Sequence, residues 1–133
     1  MTTFPKIKIA DDTVLRKELD SLFEKATQKQ IASWAIELAT HILQDYAPQY
    51  LNNEIICSGF QIHRLAKACD DKLLQLALRV TGHAVATGHM KEHGIVASDY
   101  AIKLININSN FEEYSVINER IWQINKLKEI CSL

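Results

Sequence analysis

The chain has 133 residues, 47% of them apolar and 23% charged, with a formal net charge of -1. That is about one ordinary domain with enough apolar side chains for a core of its own. The near-neutral charge argues against a generic nucleic-acid binder and against an acidic disordered tail.

No uninterrupted apolar run reaches the roughly 18 residues of a membrane span, and none of signal-peptide length follows Met1, so the expectation is a cytoplasmic protein without membrane contact. Four glycines and two prolines leave turn punctuation sparse, as in helical proteins. The expected fold is all-α: one domain over residues 1–133, a compact bundle of about six helices, with residues 1–10 as an extended N-terminal arm.

In chain order, a first helix starts near Thr13, capped by Asp11, Asp12 or Thr13, with Leu15, Leu19, Leu22 and Ala26 at helical spacing. A second runs from about Lys29 to Tyr46 on the stripe Ile31, Trp34, Ala35, Leu38 and Ile42, and Pro48 ends it. A third is expected over Asn53 to Cys69. Asp70 or Asp71 then caps a fourth, expected over about 71–93.

That fourth helix is apolar nearly all round, which predicts a buried central element. Its polar residues Gln75, Arg79, His83 and Thr87 recur every four positions and form one drifting stripe. Gly82, Ala84, Ala86 and Gly88 predict a close crossing by another helix, and Gly94 is expected at a left-handed helix end. A fifth helix is expected over Val96 to Ile107, with Ile105–Asn108 as a fraying end. A sixth is expected over Glu112 to Ile130, with Tyr114, Ile117, Ile121, Ile124 and Leu127 facing inward.

The chemistry-bearing residues do not assemble into a familiar catalytic pattern. Cys57, Cys69 and Cys131 are odd in number and lack CxxC spacing, so reduced cysteines are expected. Cys57 and His63 lie out of phase on one helix, a poor nucleophile and base pair. No GxSxG, phosphate-loop or dinucleotide glycine pattern occurs. His89 and His93, four apart, are the weak candidates for a shared metal, but they supply at most half of a tetrahedral shell. His83 falls out of phase with them on a continuous helix. The expectation is therefore no catalytic residue, no metal and no cofactor. Arg79, His83, His89, His93, Asp99, Tyr100 and Lys103 remain as a polar cluster or a partner-binding face.

The run Gly82-His83-Ala84-Val85-Ala86-Thr87-Gly88-His89-Met90-Lys91-Glu92-His93 resembles the signature of the immunity-5-like family of bacterial polymorphic toxin systems. Ala97-Ser98-Asp99-Tyr100-Ala101-Ile102-Lys103 and Trp34-Ala35-Ile36-Glu37-Leu38-Ala39 fit the same family. The resemblance implies an immunity protein that neutralises a cognate toxin by direct protein–protein binding, and it carries over no catalytic residue. The alternative from the residues alone is a helical protein that binds a metal or small ligand around His83, His89 and His93, with or without enzymatic activity.

Overall fold

A computed structural model describes residues 4–51, 66–67 and 70–132 of the chain. Among these residues there are five α-helices and no strand: α1 (Thr13–Lys25), α2 (Gln28–Tyr46), α3 (Lys72–Ala86), α4 (Glu92–Asn108) and α5 (Glu113–Ile130). A 3-10 turn over Pro48–Tyr50 follows α2. The all-α expectation holds. The helix expected over Asn53–Cys69, with Cys57, Gly59, His63 and Cys69, falls outside the described residues apart from Ala66 and Lys67, which are helical.

The caps explain the helix starts. The carboxylate of Asp12 accepts from the backbone N–H of Leu15 at 2.8 Å and opens α1. Thr27 and Gln30 form a reciprocal capping box, so α2 begins just past the end of α1. Asp71 accepts from Leu74 and opens α3.

The central helix is shorter than its periodicity predicts. It stops at Ala86, and a turn through residues 87–91 leads into α4. The hydroxyl of Thr87 donates to the Ala84 carbonyl at 2.6 Å. The side-chain amide of Gln28, the first residue of α2, donates to the carbonyls of Thr87 and Gly88, at 3.2 Å each. Carbonyls that a longer helix would have used are satisfied from outside it.

Gly94 does not close a helix in the left-handed region. No glycine among the described residues has a positive φ, and Gly94 is buried in the first turn of α4. A Cβ there would overlap the Cγ2 methyl of Ile31 and lie 3.3 Å from Thr87 Cγ2. Glycine is required because α4 starts directly against α2.

Two apolar clusters fill the interior. One joins α2, α3 and α4 through Leu38, Ile42, Leu76, Val80, Ile102 and Leu104. The other joins α1, α2, the start of α4 and α5 through Leu19, Phe23, Ile31, Trp34, Ile95 and Leu127. Between α2 and α3 sit the small residues Ala35, Ala39 and Ala84; of the four small residues expected at a crossing only Ala84 belongs to this cluster, and Gly88 lies exposed in the turn after α3. Ile105–Asn108 continues α4 as regular helix.

The inward face of α5 is rotated from the expected stripe. Tyr114 is 67% and Ile121 42% exposed, while Val116, Glu119, Arg120, Gln123, Ile124 and Leu127 are buried. The reason is electrostatic: Arg120 and Gln123 have polar partners waiting inside.

Candidate functional site

The candidate residues divide between the two sides of α4. Toward α3, His83 and His93 approach Nδ1 to Nδ1 at 3.0 Å, and their rings lie 5.2 Å apart. Tyr100 stacks on His83 at 5.2 Å with the planes 15° apart. One imidazole must donate its Nδ1 proton and the other accept it. These rings border a cavity of about 260 Å³ that Lys6, Met90 and Glu92 also line.

The break after Ala86 creates this pairing. On one continuous helix His93 would share a face with His89. The turn instead leaves His89 exposed and brings His93, now in the first turn of α4, back toward His83. Arg79 is half-buried one turn before His83, and Lys103 is half-buried one turn after Tyr100. Among the described residues, no three His, Cys, Asp or Glu side chains are grouped to hold a metal ion.

Asp99 does not join that cluster. It points to the opposite side of α4 into a buried ionic network. Arg16 donates to both carboxylate oxygens of Asp99, at 3.0 and 3.1 Å, and Arg120 donates to its Oδ1 at 2.7 Å. Arg120 also grips Asp11 bidentately, at 2.9 and 2.7 Å, and reaches Ser98 and Gln123. Asp20 lies 3.5 Å from Arg16. Gln123 continues the chain to Glu119, which bonds His41 at 2.8 Å, and His41 stacks on Trp122 at 3.8 Å.

The Arg120 side chain is fully buried and that of Asp99 is 3% exposed. Burial alone would lower the arginine pKa, but the hydrogen bonds and charges of Asp11 and Asp99 outweigh it and raise the pKa above its ordinary value. Such pairs withstand desolvation only when every donor and acceptor is matched. No buried side-chain N or O atom among the described residues is left without a partner.

Sequence reasoning missed Arg16, Arg120, Asp11, Ser98 and Gln123. A signal was present: Arg16 and Asp20 sit four apart beside the apolar stripe of α1, and Arg120 falls between Ile117 and Ile124, where a solvent-facing residue is out of place.

A family model described as "Imm-5 like putative immunity protein" matches residues 53–130, more than half of the chain. The chain belongs to that family. The matched span contains His83, His93, Asp99, Tyr100 and Arg120, whereas Arg16 and Asp11 lie before it. No curated protein and no solved structure matches the chain. Among the described residues of this immunity-family protein, no helix is long and apolar enough to cross a membrane.

Proposed function

We propose that this member of the immunity-5-like family protects its cell by binding a cognate toxin directly in the cytoplasm, by occupancy and not by catalysis. The observation that carries the reading is the family match over residues 53–130. The interior supports it: fully matched ionic groups and close helix crossings make a rigid scaffold, which lowers the ordering cost of binding. In this reading Asp99 organises the fold, and His83, His93 and Tyr100 hold α3 against α4.

The test is co-expression with the toxin encoded beside the protein's own gene, scored by growth and by co-purification. The expected result is growth rescue with a stable complex, and protection that saturates near one immunity protein per toxin. Protection at a small fraction of the toxin concentration would point to catalysis and overturn the reading.

A second reading rests on one geometric fact. Two nitrogens ligating one tetrahedral zinc lie about 3.3 Å apart, close to the 3.0 Å between His83 and His93 Nδ1. Stoichiometric zinc in untagged protein, lost in His93→Ala, would favour ligand binding over toxin binding.

A further inference from the structure

An exposed aromatic side chain sits on strained backbone just past the end of α4 opposite to His93. Asn110 and Phe111 link α4 to α5 with φ of 55° and 64°. Asparagine tolerates the left-handed region, but a bulky aromatic residue there is an outlier. The turn needs the backbone of residue 111, whose N–H donates to the Asn106 carbonyl at 2.7 Å. It does not need the phenyl ring, which is 61% exposed. Strained residues of this kind concentrate where they serve recognition.

Phe111 borders a groove of about 330 Å³ between the first turns of α1 and α5. Val14, 74% exposed, and Ile117 line it too, and Tyr114, 67% exposed, follows directly in α5. The charged residues lining it, Asp11, Asp12 and Glu113, are all carboxylates. Asp11 is neutralised by Arg120. Asp12 and Glu113 form no ion pair with a described residue. The walls are fixed from behind: Arg120 ties Asp11 to α5, and the Asn106 side chain exchanges hydrogen bonds with both backbone groups of Ala10, at 2.8 and 2.9 Å.

We propose that this groove is the docking face for the toxin, and that it receives an arginine or lysine carried on an apolar segment of the toxin surface. The cation meets Asp12 and Glu113, and the apolar flank covers Phe111, Val14 and Tyr114. Exposed aromatic side chains beside a fixed groove are the kind of group that dominates binding, and Asp12, which caps α1 but has no ion pair with a described residue, and Glu113 select the sign of the partner's charge. The inference rests on the toxin-binding reading above.

The test is calorimetric titration of the full-length protein with the toxin whose growth arrest it relieves. Phe111→Gly removes the ring and the strain together, so its melting temperature should be unchanged or higher while affinity falls at least tenfold. Glu113→Lys should also weaken binding at least tenfold and reduce its salt dependence. Met90→Ala, at the histidine cavity, should bind as the wild type does. Wild-type binding that Phe111→Gly and Glu113→Lys both preserve would overturn the docking face and leave the toxin-binding reading standing. Absence of binding by the wild type would overturn both. A self-associated protein that Phe111→Gly converts to monomer, with toxin affinity intact, would assign the groove to a second copy of this chain and overturn the proposal.

Discussion

Where α3 crosses α2 the contact is apolar, with Ala84 against Ala35 and Ala39 and with Leu76 and Val80 in one cluster with Leu38 and Ile42. Where α1 and α5 each meet α4 at Asp99 the contact is ionic, Arg16 and Arg120 against Asp99, with Asp20 and Asp11 as the further partners of the two arginines. The first kind of contact is close, non-directional and tolerant of sliding by a fraction of an ångström. The second is directional: a bidentate arginine accepts one orientation of its carboxylate. The apolar region thus supplies burial, while the ionic region fixes how α5 is rotated and where the N-terminal arm ends. The proposed docking groove lies against the ionic region, where the geometry is most tightly determined.

The comparison breaks most sharply at Arg120. Arg120→Leu keeps bulk but leaves Asp11 without its arginine and Asp99 with Arg16 alone. The expected loss is about 3–5 kcal/mol, the usual cost of breaking a buried pair from one side. Urea unfolding of the variant measures it. A loss under about 1 kcal/mol would mean that apolar packing alone holds α5.

On the apolar side the comparable probe is Gly94. Gly94→Ala adds a methyl group where the Ile31 side chain already sits, and the expected loss is about 1–3 kcal/mol. Ile31→Ala should cost about 2–5 kcal/mol alone. The double variant should lose clearly less than the sum, because the new methyl group occupies vacated space. Strict additivity would show that the two helices do not touch there.

Trp34 joins the two regions. Its ring packs in the apolar cluster, while its indole N–H donates to the carbonyl of Gln123 at 3.0 Å, inside the polar face of α5. Trp34→Phe should cost about 1–3 kcal/mol, from a lost hydrogen bond and lost volume. Hydrogen exchange in α5 should accelerate more than in α3.

The two regions also differ in how far they can be read from sequence. Apolar periodicity identifies α2 and its stripe, Pro48 marks the end of α2, and the limits of α5 fall within a residue of expectation. Periodicity misplaces the inward face of α5, because an arginine among isoleucines is taken for a surface residue. Its partner Asp11 lies 109 residues away, and no local pattern connects them. The end of α3 is hidden for a similar reason. Residues 72–93 contain no proline and keep helical spacing, and the break depends on Gln28 from α2. The candidate site was accordingly half legible: His83, His93 and Tyr100 do meet, but through a turn, while Asp99 belongs to the network on the other side.

The smallest effect lies where the apolar helix feels the ionic network. Tyr46, at the end of α2, has its phenol pKa raised above the ordinary 10.0, first by burial and then by the charges of Asp45 and Glu119. A raised pKa on an acid means that the fold prefers the neutral phenol. That preference contributes stability in full below about pH 10, and it is lost as pH rises through the folded-state value. Thermal melts of the wild type should therefore lose stability above about pH 10 more steeply than melts of Tyr46→Phe, which has nothing to ionise at that position. Glu119→Gln should flatten the slope only in part, since burial is the larger cause and remains. Identical slopes for the wild type and Tyr46→Phe would show that the end of α2 is open to water at alkaline pH, and that the charges beside α5 do not reach across to it.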